Sequence, residues 1–463
     1  MIKIGLLPLY IALYDEKSPQ IRPRLEKFYE MTAQKLEACG FKVLRVPFCR
    51  LEQEFKSTVA SFENNGAKCI VTLHMAYSPS LESSAVLAAT KLPIVVLDAT
   101  DTFDFGFAQS TDAISYCHGI HGVMDMCSLL NQNGKKYAIA AGHIDHSDVI
   151  PRAAGFIKAA VSACSLRGLR VGTIGGAFDG MGDFAVSDKE MKERFEIEAV
   201  TSNPEIMREL RASVTDSEIC AEIESDNNFF RRIGDFSYDT HMQTVRDGLA
   251  VRKWIEIENL SAFSVNFLKI GDETGLSYMP FMESCKAMGR GIGYAGEGDI
   301  LTASFTGALL KGFADTSFIE IFCPDWRGNT LFLSHMGEMN IRLTAKKPEI
   351  AEKDFVFGNS INPIACYGCY KSGNGIFVNV FKGRNDFKLV ISPVAMEEED
   401  ETIIESNFKG SIRGWMRPKK TAGEFLEALS KAGATHHSIL VYGAAAEQIR
   451  FFGELSDLEV IEI

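Results

Sequence analysis

The chain has 463 residues, a formal net charge of −13 at pH 7 and 46% hydrophobic residues. This length predicts more than one domain, and the composition is that of a folded protein. The acidic balance argues against nucleic acid or an anionic membrane surface as the main partner. Eleven scattered cysteines, an odd number, favour a reducing cytoplasm over a disulfide framework.

The first residues, M-I-K-I-G-L-L-P-L-Y, predict a buried strand, because they lack the small-residue cleavage site of a signal peptide. No apolar stretch approaches the roughly 18–20 residues that a membrane-spanning helix needs. We therefore expect a cytoplasmic protein without a membrane partner.

The first 165 residues alternate short apolar runs with helix-period stretches. Runs rich in Val, Ile and Leu predict strands at residues 2–7, 42–46, 69–73, 94–97 and 137–141. Helix-period stretches lie between them, for example at 21–38 and 80–90. This alternation is typical of a parallel sheet that is covered on both faces. A second unit of the same kind is predicted from Leu169, continuing through a strand at 195–200 and a helical region at 203–256.

The pattern of the sequence changes after residue 312, where few helix-period stretches remain. Strand-like stretches follow one another at 317–322, 330–333, 375–381, 387–393, 411–416 and 438–442. Succession without helical crossovers predicts an antiparallel sheet or barrel. The predicted fold is therefore α/β, with two doubly wound Rossmann-like domains at 1–168 and 169–312. A β-rich, barrel-like C-terminal domain is predicted at 313–463.

A small set of carboxylates and imidazoles carries the chemistry. Glu297 stands in Y-A-G-E-G-D, Glu320 in T-S-F-I-E, His335 in L-S-H-M-G-E-M-N, and His436 with His437 in A-T-H-H-S. Carboxylate oxygens with neutral imidazoles suit a divalent ion such as Mn²⁺. Two carboxylates beside such an ion can also transfer protons to and from a bound substrate.

Each residue alone also has an ordinary structural interpretation. Glu297 precedes a predicted helix at 300–313 and is suited to an N-terminal cap. Glu320 lies in an apolar strand, whose alternation can turn its side chain to solvent, and His335 follows a strand as many structural histidines do. The residues acquire meaning from their order and spacing.

That order resembles the L-arabinose isomerase family, within the L-fucose/L-arabinose isomerase superfamily. G-E-G-D is followed 23 residues later by the glutamate of S-F-I-E, and S-H-M-G-E follows after a further 15. The late H-H pair completes the pattern. The resemblance implies that Glu297, Glu320, His335 and His437 bind Mn²⁺ or another divalent cation. We hypothesise that Glu297 and Glu320 also share the two catalytic proton transfers, and the sequence leaves open which of them is the base.

Other segments extend the resemblance from about residue 70 to 440. L-H-M-A-Y-S-P-S at 73–80 implies a site-lining role for His74, and His121 lies 22 residues before His143, as the family's active-site histidine does. G-M-G-D-F-A-V-S-D at 180–188 matches Met181 to a substrate-contacting methionine, and F-S-V-N-F does the same for Phe267. His436, beside the predicted ligand, is expected to contact substrate.

Three segments depart from the family pattern. L-P-L-Y-I-A-L-Y-D stands at 7–15 in place of the family's G-S-Q-H-L-Y-G, His118 replaces a glutamine, and I-F-C-P-D-W follows Glu320. Since these segments shape the pocket around the far end of the sugar, the resemblance predicts an aldose–ketose isomerase but leaves the sugar open.

Several functions are consistent with these residues. L-Fucose or D-arabinose are alternative substrates, a metal-dependent epimerase or lyase is a second class, and a non-catalytic sugar-binding protein a third. The resemblance further implies a homo-oligomer, a hexamer or trimer, with a small-molecule sugar as its partner.

Overall fold

The N-terminal unit, Met1–Cys164, is built on a parallel sheet whose strands are rich in Val, Ile and Leu. The structure is a computed structural model, and it describes residues 1–400 and 408–463. The strands are β1 (Ile2–Leu9), β2 (Phe41–Leu44), β3 (Ile70–His74), β4 (Ile94–Thr100) and β5 (Tyr137–His143), in the order β2-β1-β3-β4-β5. The helices are α1 (Ala12–Lys17), α2 (Arg22–Ala38), α3 (Glu52–Asn64), α4 (Ser80–Ala89), α5 (Ile114–Cys117), α6 (Gly119–Gln132) and α7 (Val149–Leu166).

Helices on the sheet bury its central strands on both faces, which explains the nearly continuous apolar runs. β3 is buried along its whole length. In the parallel register Leu9 pairs with His74 and Thr100 with His143, so these residues lie at one edge of the sheet. His74, the last residue of β3, therefore lies at the edge of the sheet formed by the carboxyl ends of its strands.

Helix α7 departs from the expectation that no apolar stretch is long enough to span a membrane. Within the described residues, it is the one helix whose length and apolar composition would allow this, and 72% of it is buried inside the protein. The charged residues Arg152 and Lys158 lie inside α7, so its sequence is not one uninterrupted apolar run. Such burial is what the core helix of a folded protein shows.

The second unit, Ser165–Ile463, contains another parallel sheet in the order β10-β9-β6-β7. Its strands are β6 (Arg170–Ile174), β7 (Glu198–Thr201), β9 (Ala262–Val265) and β10 (Gly293–Gly296). Its helices are α8 (Asp188–Phe195), α9 (Pro204–Ala212), α10 (Asp216–Phe229), α11 (Tyr238–Ile257), α12 (Phe281–Gly289) and α13 (Ile300–Gly312). Helix α8 takes up the beginning of the stretch predicted as a strand at 195–200.

The remaining strands of this unit form a largely antiparallel sheet. They are β8 (Arg231–Arg232), β11 (Thr316–Asp325), β12 (Thr330–Leu333), β13 (Glu349–Glu352), β14 (Ile364–Cys369), β15 (Gly373–Lys382), β16 (Phe387–Met396), β17 (Ile412–Pro418), β18 (His437–Tyr442) and β19 (Glu459–Glu462). Two helices accompany them, α14 (Ala422–Ala432) and α15 (Ala446–Leu455).

Part of this sheet closes on itself. Strands pair in the order β16-β15-β18-β11-β12-β17, every pair is antiparallel, and β17 pairs again with β16. Closure removes the exposed edges that an open sheet presents. The structure therefore confirms the predicted fold class of parallel α/β sheets followed by a β-rich, barrel-like region.

The predicted domain boundaries relate to this architecture in two ways. The boundary at 168/169 falls just after the division between the units, Met1–Cys164 and Ser165–Ile463. The boundary at 312/313 falls between α13 and β11, inside the second unit. A separate third domain at 313–463 stays a prediction.

Helix α13 connects the parallel sheet to the barrel and is buried nearly all round. Two glycines let it lie directly on the sheet. A Cβ on Gly293 would come within 2.3 Å of the Ala303 carbonyl oxygen, and one on Gly307 within 2.7 Å of the Ser261 carbonyl oxygen. This close packing fixes the distance between the end of β10 and the start of β11.

Gly307→Ala is expected to destabilise the protein although alanine is the better helix former. The propensity gain is about 1 kcal/mol at most, whereas forcing backbone apart in a filled core costs about 1–3 kcal/mol. The urea-unfolding midpoint should fall. Gly423→Ala in α14, where a Cβ meets nothing within 4 Å, is the matched control and should not lower it. A midpoint unchanged in Gly307→Ala would contradict this account of the packing.

Candidate metal centre

The candidate centre lies where the carboxyl ends of β6, β9 and β10 come together. Ile174 pairs with Val265 and Val265 with Gly296, so the three strands end in register. Loops that follow parallel strands at such an edge are the usual place for a ligand site in an α/β sheet. Glu297 is the first residue after β10.

Glu297 has a backbone conformation that few residues other than glycine adopt. Its φ is +64°, in the left-handed region, and Gly298 follows with φ +80°. For a residue with a Cβ this costs roughly 1–2 kcal/mol. The loop is tightly held, because the Glu297 amide donates to the Val265 carbonyl at 3.0 Å and a Cβ on Gly298 would come within 2.3 Å of the Gly176 carbonyl oxygen. Strain maintained by its surroundings is characteristic of functional positions.

The helix cap next to Glu297 is a different residue. Asp299 is the N-cap of α13, and its Oδ1 accepts a hydrogen bond from the Thr302 amide at 2.8 Å. The alternative interpretation of Glu297 as the cap is therefore wrong. The Glu297 carboxylate instead lies near the imidazoles of His436 and His437.

The barrel brings the other predicted residues together. Glu320 on β11 pairs directly with His437 on β18. His335 follows β12, the other neighbour of β11, and the Ser334 amide donates to the Glu320 carbonyl at 3.2 Å. Adjacent antiparallel strands thus place three side chains that are far apart in sequence beside one another.

Three of the four predicted ligands form one cluster. One ligand atom each from Glu297, His335 and His437 lies within 4.8 Å of the other two. The His437 Nε2 is 3.4 Å from Glu297 Oε2, and His335 Nε2 is 3.5 Å from Glu320 Oε2. Glu320 thus adjoins the cluster through His335, and it is the most exposed of the four side chains, at 18%.

Two buried atoms in the cluster lack an ordinary partner. Within the described residues, Glu297 Oε2 and His437 Nε2 make no hydrogen bond. A buried polar atom without a hydrogen-bond partner is costly, so such atoms are suited to bind a ligand. Since a carboxylate oxygen and an imidazole nitrogen both donate an electron pair to a metal, the observed arrangement fits a divalent ion.

Each imidazole is oriented from behind by its own carboxylate. His335 Nδ1 lies 2.6 Å from Glu338 Oε2, and His437 Nδ1 lies 2.9 Å from Asp299 Oδ2. Tyr294 donates to the other oxygen of Glu338 at 2.9 Å. A carboxylate on one imidazole nitrogen directs the opposite nitrogen toward a metal and raises its basicity. Both Nε2 atoms are left for the cluster.

Aromatic rings pack the imidazoles in place. The Phe318 ring stands edge-on to both His335 and His437, with 5.0 Å between centroids in each case. Phe184 stacks on His437 at 4.8 Å with the ring planes 9° apart. Gly296 leaves the room needed, because a Cβ there would come within 3.0 Å of His335 Cε1. These contacts hold the imidazoles without competing for their nitrogen atoms.

His436 bridges the cluster and a neighbouring loop. Its Nδ1 lies 2.6 Å from Asp183 Oδ2, and its backbone amide donates to the same oxygen at 3.0 Å. Its Nε2 is 3.5 Å from Glu297 Oε2. His436 is partly exposed, whereas His437 is fully buried.

The two glutamates have pKa values that depart in opposite directions. Burial alone would raise the pKa of Glu297, but the imidazoles of His436 and His437 bring it below its usual range. Burial raises the pKa of Glu320, and the more distant imidazoles offset this only in part. Glu297 therefore stays ionised more readily than Glu320.

Both clustered histidines have raised pKa values. Burial would lower the pKa of His335, but the Glu338 carboxylate raises it above the usual range. Burial would likewise lower the pKa of His437, but Asp299 and Glu297 raise it to about 10. A cation at the Nε2 atoms must therefore displace protons.

Two of the predicted substrate contacts occupy loops of the same unit. Met181 is half-buried in the loop between β6 and α8, two residues before Asp183. Phe267 begins the short helical turn after β9 and is buried, with its ring 5.3 Å from that of Phe178. Both loops follow strands that end at the site edge, and contact of Met181 and Phe267 with substrate stays a prediction.

The other two predicted contacts belong to the N-terminal unit. His74 ends β3 and is buried, and a Cβ on Gly122 would come within 2.4 Å of its ring. Burial lowers the pKa of His74 to about 3, so its imidazole is neutral. His121 is exposed on α6, 6.0 Å from the His118 ring. Their roles toward substrate also stay predictions.

Sequence reasoning missed the residues that support the cluster. Asp299 and Glu338 lie in the same short words as the predicted ligands, G-E-G-D and H-M-G-E, and this proximity is a usable signal. Asp183 and Phe184 give no such signal, because they reach the H-H pair across more than 250 residues of sequence.

The fold and the cluster define a class of protein. In this class, parallel α/β sheets are joined to an antiparallel barrel, and carboxylates and imidazoles are assembled as in a metal centre. A family model for the L-arabinose isomerase C-terminal domain matches residues 315–459. The chain is 24% identical to the L-arabinose isomerase of Shouchella clausii, over 99% of this chain and 93% of the relative.

Further relatives agree with this match. Identity to the L-arabinose isomerase of Mycolicibacterium smegmatis is 23%, over 85% of this chain and 80% of the relative. Identity to the L-arabinose isomerase of Herpetosiphon aurantiacus is 22%, over 96% of this chain and 91% of the relative. The C-terminal third of the chain thus matches the L-arabinose isomerase domain model, and nearly the whole chain is similar to L-arabinose isomerases.

Binding of a divalent ion to the cluster is expected to strengthen as pH rises from 6 to 8. The His437 pKa of about 10 means that this imidazole holds a proton in this range without the ion, and the His335 pKa is raised in the same direction. Each step up in pH therefore removes protons that compete with the ion. Calorimetric titration with Mn²⁺ in buffers of different ionisation enthalpy should show proton release. Affinity that is independent of pH, without proton release, would contradict the assignment.

Proposed function

We propose that this protein is a metal-dependent aldose–ketose isomerase acting on an open-chain sugar. Support comes from two sides. The chain is similar to L-arabinose isomerases over nearly its whole length, and ligand atoms of Glu297, His335 and His437 converge within 4.8 Å. The convergence carries the proposal, because the resemblance had named these residues from their sequence positions alone.

The proposed ion is Mn²⁺, held by Glu297, Glu320, His335 and His437. Mixed carboxylate and imidazole ligands are typical of such first-row divalent ions. When bound, the ion polarises the carbonyl of the sugar and stabilises the negative charge that develops on O1 and O2. The residues that orient the imidazoles, Asp299 and Glu338, are buried with them and keep the Nε2 atoms in position.

The two glutamates provide the proton transfers. Isomerisation moves one proton between C1 and C2 and another between the two oxygens, so two groups that exchange protons are needed. Glu297 and Glu320 share these steps, each beside an imidazole at 3.4–3.5 Å. The burial of Glu297 and the strained backbone that presents it keep its carboxylate oriented before substrate arrives.

His436 is placed to contact the substrate next to this pair. Asp183 holds its Nδ1, Nε2 lies 3.5 Å from Glu297 Oε2, and the side chain is 34% exposed. A donor at this position can bind a sugar hydroxyl. Met181 and Phe267 complete the proposed contacts within the same unit.

The sugar itself is a choice among aldoses. L-Arabinose is the substrate named for the relatives, while the departures at 7–15, at His118 and after Glu320 leave L-fucose and D-arabinose as alternatives. A sugar acid or phosphate substrate would need a cation near the cluster. Arg327 and Arg342, the arginines of this region of the sequence, are both exposed, and give no support to an epimerase or lyase.

Two further properties stay predictions. The family resemblance implies a homo-oligomer, a hexamer or trimer, which analytical ultracentrifugation would measure. The odd number of scattered cysteines favours a reducing cytoplasm as the location.

The test of the proposed function is a substrate panel. Protein loaded with Mn²⁺ is incubated with L-arabinose, D-arabinose, L-fucose and other aldoses, and the products are scored for ketose. A chelator-treated sample is the control. Ketose from at least one sugar, lost on chelation and restored by Mn²⁺, would support the proposal, whereas no ketose from any sugar would refute it.

Glu297→Gln and Glu320→Gln are each expected to lower kcat by at least about 10³-fold, because each removes a group that transfers a proton in the reaction. The measurement is ketose formation at saturating sugar and Mn²⁺. Glu193→Gln, on an exposed part of α8, is the matched control and should keep full activity. Substantial turnover in either site variant would remove that glutamate from the mechanism.

A further inference from the structure

A cavity of about 520 Å³ in the second unit is lined by three arginines, Arg208, Arg211 and Arg246. The residues that line it are different from those of the metal centre. Its volume is in the range of about 300–1,000 Å³ that is usual for small-molecule sites. Among its lining residues, Asp272 is the acidic one, so the lining is predominantly positive.

Two helices and a tight turn build the walls. Arg208 and Arg211 come from α9 and Arg246 from α11, while the facing wall is the turn from Gly271 to Ser277. This turn packs closely on α9, because a Cβ on its Gly275 would come within 2.3 Å of the backbone there. The walls of this open cavity are thus built on helical and turn backbone.

A buried carboxylate fixes Arg211 and the turn together. Asp247 is fully buried, and its Oδ1 accepts from Arg211 Nε. Its Oδ2 accepts from the amides of Ser277 and Tyr278 at 2.7 and 2.8 Å. Arg211 also donates to Gln243 at 3.1 Å. One guanidinium is therefore held rigidly at the cavity wall.

The other two guanidinium groups are only loosely neutralised. Arg208 donates to the backbone carbonyl of Asp272 at 2.7 Å, which supplies no charge. Arg246 donates to the Val214 carbonyl at 3.0 Å and pairs with Asp216 at 3.1 Å, but the Asp216 side chain is 84% exposed. Ion pairs this exposed contribute little. Both side chains can turn toward an anion at small cost.

We propose that this cavity binds a small molecule through a phosphate group or a comparable compact dianion. Guanidinium groups donate paired hydrogen bonds in a plane, and this geometry matches phosphate oxygens. Three of them lining one open cavity provide more positive charge than a neutral sugar uses. The site is separate from the isomerase centre, so the protein takes a phosphorylated ligand in addition to its sugar.

The test measures binding to full-length protein that has been freed of metal ions on a chelating resin. Inorganic phosphate and D-ribose 5-phosphate are titrated calorimetrically, with D-ribose as the neutral counterpart. Both phosphate-bearing probes should bind, more weakly at high salt, and D-ribose should not. Binding should weaken by at least about tenfold in the Arg208→Gln/Arg246→Gln double variant, since each lost charge-assisted bond is worth that much.

Two controls make the result decisive. Arg384→Gln removes the same charge from an exposed position elsewhere and should leave binding unchanged. If the double variant does not fold, Arg208→Gln alone, at an exposed helix position, carries the same comparison. No binding of either phosphate probe, equal binding of D-ribose, or binding unaffected by the arginine variants would overturn the proposal.

Discussion

The site depends on buried negative charge that the protein does not neutralise by itself. Glu297 and Glu320 face His335 and His437, and each imidazole is backed by a further buried carboxylate, Glu338 or Asp299. With neutral imidazoles this region holds four acidic groups and no lysine or arginine partner among the described contacts. Burying unpaired charge is costly. Protons on the imidazoles offset part of this charge, as the raised histidine pKa values show, and a divalent cation would offset two of the four negative charges.

The fold serves this cluster by joining two kinds of sheet. The parallel sheet ends in the strained loop that carries Glu297, and α13 carries the chain from that loop into the barrel. Because Gly293 and Gly307 let the helix lie directly on the sheet, the first barrel strand starts at a fixed place. Antiparallel register then sets Glu320 opposite His437. A change in helix packing would shift Glu297 relative to the barrel residues.

Sequence reasoning predicted the apolar strands well because burial on both faces leaves a continuous signal, as in β3 and β4. It placed Glu297, Glu320, His335 and His437 through their order and flanking words, since short motifs keep ligand spacing. It missed Asp183 and Phe184, whose contacts with the histidine pair arise only from tertiary packing. It also missed α7 as a long apolar helix, since Arg152 and Lys158 interrupt the run, and β8, β13 and β19, which are short. The arginine cavity likewise combines residues from α9, α11 and a turn.

The central claim is that one divalent ion sits among Glu297, Glu320, His335 and His437. The most direct measurement is a crystal structure of the Mn²⁺-loaded protein with anomalous diffraction collected at the manganese edge. The account predicts one anomalous peak per chain, with the His335 and His437 Nε2 atoms and oxygens of both glutamates at roughly 2.0–2.3 Å. No peak at this cluster, or a peak bound by other residues, would contradict it.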